Sequence, residues 1–189
     1  MSLKFLNTTS DYLEWDSMLK LKRSLFNDNN YKMSLLIVLG SFWGLRISDL
    51  LNLTWNQILK SEQLEIIEKK TGKRRTIKIN AQLQKHIVEC FNAIRPRKIE
   101  SKCFLSQKGT VYTVQRINVV LKEVKANYNL KIYHFSSHSL RKTFGRGVYN
   151  NSKNNAEFTL VKLSELFNHS DVHITRKYLG LHNNELMEI

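Results

Sequence analysis

Leu64-Glu65-Ile66-Ile67-Glu68-Lys69-Lys70-Thr71-Gly72-Lys73-Arg74-Arg75-Thr76-Ile77-Lys78-Ile79 decides the fold class. Residues 64–69 are rich in isoleucine, and residues 76–79 alternate Thr, Ile, Lys, Ile. The two runs flank Thr71-Gly72-Lys73-Arg74, so the stretch reads as an antiparallel β-hairpin. To either side the periodicity turns helical, and the expected architecture is mainly α with one small antiparallel sheet (α+β).

Upstream, Ser10 to Phe26 carries apolar residues at helical spacing, with Ser10 or Asp11 as N-cap. Tyr31 to Trp43 is apolar nearly all round, which predicts a buried helix. Gly44 punctuates, and Arg46 to Leu53 then places Ile47, Leu50 and Leu51 on one face and Arg46 and Asp49 on another. Downstream, Ala81 to Ile94 is helical and stops at Pro96. Lys102 to Leu105 is a candidate third strand, and Thr113 to Asn127 an amphipathic helix. Ser137 to Tyr149 and Thr159 to Phe167 read as helices. Asn168 suits the position after the second of these. Asp171 suits the N-cap of a short helix over 172–179 that ends at Gly180. No internal repeat and no long linker divides the chain, so a single domain over residues 1–189 is expected, with 1–9 a flexible lead-in.

Composition narrows the function. Lys and Arg total 30 against 16 Asp and Glu, for a net charge of +14. A surplus that large points to a polyanion as partner, and scarce acids argue against clustered carboxylates holding two metals. The surplus is local. Residues 61–153 carry 20 basic and 6 acidic residues, which equals the net charge of the whole chain. Its densest patch is Lys69, Lys70, Lys73, Arg74, Arg75 and Lys78. A solvated basic face is the plain reading of such a run, and a phosphate-binding face the sharper one. The apolar run at 33–43 is far short of the roughly 20 residues that span a membrane. Cys90 and Cys103 form neither a disulfide framework nor a zinc site, which suits a reducing interior and a cytoplasmic protein. His169, His173 and His182 lie near one another but bring no ligand pattern with them.

Five elements occur in order: Arg46 before Ile47-Ser48-Asp49, the Lys70-Thr71-Gly72-Lys73 turn, His138-Ser139-Leu140-Arg141, His169, and Tyr178 nine residues later. Each alone recurs by chance; the ordered set carries weight. Together they resemble the catalytic domain of the tyrosine recombinases, the phage integrase family, over about residues 10–180.

The resemblance implies a catalytic set of Arg46, Lys70, His138, Arg141, His169 and Tyr178. Arg46 and Arg141 are suited to donate paired hydrogen bonds to the non-bridging oxygens of a scissile phosphate. By the same resemblance His138 and His169 contact that phosphate, and His138 helps move the tyrosine proton. Tyr178 is the implied nucleophile, forming a 3′-phosphotyrosyl intermediate and freeing a 5′-hydroxyl. Lys70 is the implied general acid, with Lys69 and Lys73 as competitors. The arginines stand where other nucleases use a metal, so no Mg²⁺ and no cofactor is expected. Asp49, three residues after Arg46, either orients Arg46 or a histidine or is a plain surface carboxylate. Lys69, Lys73, Arg74, Arg75 and Lys78 are expected to contact DNA.

Two departures stand out: Asn168 where the family often has Gly, and Lys142-Thr143-Phe144 where it commonly has His-Thr-Phe. Asn tolerates the left-handed turn best after Gly. Lys142 is not in the catalytic set. Relatives usually carry a further N-terminal DNA-binding domain, so this chain is expected to be one half of a clamp. The implied partners are double-stranded DNA and three more protomers on it, with a monomer when free. A mobile element or phage is the expected source. The alternatives are a non-catalytic DNA-binding or regulatory remnant, and topoisomerase-like use of the same chemistry.

Overall fold

The structure, a computed structural model, describes residues 11–59, 62–152 and 155–181. In chain order it comprises α1 (Trp15–Asn27), α2 (Tyr31–Trp43), α3 (Ile47–Leu50), α4 (Trp55–Leu59), β1 (Gln63–Ile67) and β2 (Arg74–Lys78). Then follow α5 (Ala81–Ile94), α6 (Val114–Asn127), α7 (Ser137–Asn150), α8 (Ala156–Phe167) and α9 (Val172–Leu179). The mainly α architecture with one two-stranded antiparallel sheet is therefore as expected. Among the described residues no helix is long and apolar enough to cross a membrane.

The all-round apolar sequence of α2 is explained by its place at the centre, where nearly every residue from Met33 to Trp43 is buried. α1, α5 and α7 pack around it. α7 comes especially close. A Cβ on Gly40 would lie 2.8 Å from Leu140 Cδ1, so only glycine permits this approach. Gly44 ends α2 in the left-handed conformation, with φ +57°.

In the hairpin Gln63 pairs with Lys78 and Ile67 with Arg74. Leu64 and Ile66 face inward, as do Ile77 and Ile79, while Ile67 is 67% exposed. The chain reverses at Gly72, with φ +67°, and the turn is closed by Glu68 N–H donating to the Lys73 carbonyl at 3.0 Å.

A second, smaller cluster lies apart from the main core. Leu160, Leu163, Phe167 and Leu179 join α8 to α9, and Phe144 and Tyr178 pack against them. Caps fix both ends of α9: the Asp171 carboxylate accepts from His173 N–H at 2.6 Å, and Gly180 closes the helix in the left-handed form. Asn168 adopts the expected left-handed turn after α8, with φ +55°.

Three boundaries differ from the sequence reading. α1 begins at Trp15 with Glu14 at its N-cap, not at Asp11. Asp11 instead accepts from Tyr133 N–H at 2.8 Å, tying this stretch to the loop before α7. Ser10 and the 1–9 lead-in lie outside the described residues. Lys102 to Leu105 makes only isolated bridges, Thr54 to Lys102 and Leu105 to Val111, because these partners are loop residues and not the hairpin. Finally, only Ile47–Leu50 of the 46–53 segment is an α-helix, and Arg46 precedes it in an extended conformation.

Candidate active site

Six residues from five separate places in the chain line one cleft of about 420 Å³: Arg46, Lys70, His138, Arg141, His169 and Tyr178. These are the six candidates singled out in the sequence. Each is placed by a different device.

Arg46 is held from two sides. Its Nη1 donates to Glu68 Oε2 at 2.5 Å, and its Nη2 to the Phe167 carbonyl at 3.2 Å. Arg141 lies one turn into α7, which a capping box between Ser136 and Ser139 starts at a fixed residue. Its Nη1 donates to the Gly44 carbonyl at 2.5 Å, and its guanidinium lies 4.4 Å from the Phe167 ring centroid. Both arginines thus hang from carbonyls at helix C-termini, where the dipole favours a cation. His138 shares the α7 face with Arg141 by its i, i+3 spacing.

His169 Nδ1 lies 2.9 Å from Thr175 Oγ1, across the turn between α8 and α9. Its ring stands at 72° to that of Tyr178, with centroids 5.3 Å apart. Phe167 meets Tyr178 at 5.5 Å. The Tyr178 hydroxyl donates to the His138 carbonyl at 3.4 Å. Lys70 reaches the cleft from the hairpin turn, while the competing Lys69 and Lys73 are not among the cleft-lining residues.

Comparison with known proteins settles the lineage. Residues 14–185 match the phage integrase family. The chain belongs to the phage integrase family. It is 31% identical over 164 residues to the probable integrase/recombinase YoeC of Bacillus subtilis (strain 168), covering 86% of this chain and 84% of that protein. Among solved structures, XerA recombinase matches with a TM-score of 0.72 at 17% identity, over 100% of this chain and 65% of that one. XerH site-specific recombinase, bound to palindromic difH substrate in a post-cleavage complex, matches with a TM-score of 0.70 at 20% identity. That match covers 96% of this chain and 53% of that one. This integrase-family chain thus has the tyrosine-recombinase catalytic fold and spans between half and two thirds of those two solved chains.

The electrostatics of this integrase-family site follow from its burial. Burial pushes the Tyr178 phenol up to about 12, although Arg141 and Arg46 pull the other way. Burial, then Arg141 and Lys142, hold His138 below the usual imidazole value. His169 is lowered likewise, by burial and then by Arg141 and Arg46. Both histidines are therefore neutral at pH 7. Burial also brings Arg141 down to about 10, with Tyr178 opposing and Arg46 and Arg75 adding to the shift.

Of the five residues expected to contact DNA, one is turned away from the surface. Lys69, Lys73, Arg74 and Lys78 are exposed, as a phosphate-binding face requires. Arg75, expected on that face, points inward instead. It is 15% exposed, donates to the Trp43 carbonyl at 2.5 Å, and lies 3.8 Å from Glu68 Oε1. Strand alternation is the reason, since Arg75 falls on the same face as Ile77 and Ile79. Asp49 is buried, not a surface carboxylate. Its Oδ1 accepts from Lys69 N–H at 3.0 Å, so it ties α3 to the start of the hairpin turn.

Glu68 was missed by the sequence reading. It is 4% exposed and faces both Arg46 and Arg75, and it accepts from Thr71 Oγ1 at 3.0 Å. Burial would raise its carboxyl, but the bonds from Arg46 and Thr71 outweigh that and hold it below the ordinary value of 4.5. The signal was present: Leu64, Ile66 and Glu68 continue one inward-facing alternation. A glutamate that continues the core face of a strand past its end needs a cation to meet it.

Proposed function

We propose that this chain is the catalytic domain of a site-specific DNA recombinase, in which Tyr178 attacks a backbone phosphate. The observation that carries the reading is the convergence of Arg46, Lys70, His138, Arg141, His169 and Tyr178 on one cleft. The Tyr178 oxygen forms a bond to phosphorus as the bond to the 5′-oxygen breaks. The product is a 3′-phosphotyrosyl enzyme and a free 5′-hydroxyl. A second 5′-hydroxyl reverses the step on a new strand, so no external energy source is needed.

The local chemistry fits these roles. A phenol at about 12 is almost wholly protonated at pH 7, so its proton leaves as attack proceeds. His138 is neutral there and can accept it. Arg46 and Arg141 are already oriented on backbone carbonyls and can hold the non-bridging oxygens without rearranging. Lys70, at the hairpin turn, is placed to protonate the leaving oxygen. The exposed Lys69, Lys73, Arg74 and Lys78 track the backbone of the duplex. The protein is a monomer when free, assembles as a tetramer on DNA, and serves a mobile element or phage.

A nicked suicide duplex carrying the repeats that flank the gene tests this. The wild-type chain is expected to give a covalent protein–DNA adduct on a denaturing gel, in EDTA as well as in Mg²⁺, and Tyr178→Phe none. No adduct from the wild type, or one that survives in Tyr178→Phe, refutes the reading.

A further inference from the structure

Lys142 is the odd residue of the site. It follows Arg141 on α7 and is only 7% exposed. A buried ammonium is costly unless something meets its charge. Its Nζ lies 5.2 Å from the centroid of the Tyr178 ring. That is within the range of a cation–π contact, which strengthens when desolvated. Burial lowers the amine below its ordinary value, and the Asp11 carboxylate pulls it back toward the charged form.

We propose that Lys142 is a positioning residue that seats the Tyr178 ring and favours loss of its phenolic proton. The inference rests on Tyr178 being the nucleophile and adds a residue to that machinery. Loss of the proton raises the electron density of the ring, so a cation over its face attracts the phenolate more than the phenol. Arg46 and Arg141 act on the oxygen end from the cleft, while Lys142 acts on the ring.

The charged and titratable groups around Tyr178 come from several separate parts of the chain. They are Arg46 before α3, Lys70 in the hairpin turn, His138, Arg141 and Lys142 on α7, and His169 after α8. Arg176 and Lys177 share α9 with it, and Arg176 is paired with Glu157. Substituting Lys142 leaves all the others in place, so a change in pH response is attributable to it.

The experiment measures single-turnover adduct formation by the full chain on the same nicked duplex, from about pH 6 to about pH 9. Lys142→Met keeps the length of the side chain and removes its charge. It is expected to slow cleavage on the order of tenfold at pH 7 and to move the rising limb of the profile to higher pH. Lys142→Arg, which keeps the cation, is expected to restore most of both. Lys142→Gln gives the same comparison if the Met variant folds poorly, judged by thermal melting. A Tyr178-dependent adduct formed by the neutral variants at the wild-type rate and pH profile overturns the role of Lys142 alone. So does a slower rate with no shift of the limb. An absent wild-type adduct, or one that survives in Tyr178→Phe, removes the nucleophile reading and this proposal with it.

Discussion

Replacing Glu68 by Gln removes the carboxylate that faces both Arg46 and Arg75 while leaving the side-chain volume almost unchanged. Breaking one partner from a fully buried ion pair costs about 3–5 kcal/mol. Glu68 is 4% exposed but Arg46 is 18% exposed, and the amide still offers an oxygen to Arg46. Solvent screening and that residual bond reduce the expected loss to about 2 kcal/mol. For a chain of this length the shift in Tm is about 2–4 °C per kcal/mol, hence about 4–8 °C at pH 7. The pH dependence is sharper still. The Glu68 carboxyl titrates below its ordinary 4.5 in the folded chain. Its stabilisation is therefore present above that unfolded value and lost as pH falls through the folded one. Melting curves of wild type and Glu68→Gln should lie apart at pH 7 and converge as pH drops through the lowered Glu68 value. A Glu68→Gln protein with the wild-type Tm at pH 7, or a gap that stays constant into acid, refutes the reasoning.

Two further outcomes test how Tyr178 and His169 are placed. Gly145 is packed so closely that a Cβ would lie 2.5 Å from Leu179 Cδ2 and 3.1 Å from Phe167 Cζ. Gly145→Ala should displace α9, lowering Tm by about 2–6 °C and adduct formation more than tenfold, despite the better helix propensity of Ala. Thr175→Val removes the hydroxyl that fixes His169 Nδ1. It should cost about 1 kcal/mol of stability by thermal melting and slow cleavage several-fold, with DNA affinity kept.

Much of this was legible because the informative residues obey local rules. The hairpin, α6 and the caps of α9 each satisfy their own periodicity and turn chemistry, so tertiary context had little to override. The start of α1 was not legible, because Asp11 spends its carboxylate on the Tyr133 amide 122 positions away. Lys102 to Leu105 has strand-like residues, but its bridges go to Thr54 and Val111. In the site, residue types and order pointed to the six candidates, whereas their supports were harder to see. Arg75 read as a member of a basic surface run and Glu68 was passed over, and only the alternation of the hairpin turns both inward. Lys142 looked like an idle variant beside Arg141, and only the packing of α9 on α7 sets its amine over a ring.

Tyr178 belongs to a small island of packing. Among the described residues, four buried apolar side chains hold α8 to α9, whereas the arginines hang from the end of α2 and from the last turn of α8. Local opening free energies follow the amount of buried contact, so α9 belongs to the weak end of the molecule. It can separate as a unit while α2, at the centre of the main cluster, stays closed. Amide exchange should then rank the chain in two tiers, with α9 exchanging well before α2 and α7. Arg141 thus hangs from the deep core through Gly44, whereas Tyr178 sits on a separate, shallower equilibrium.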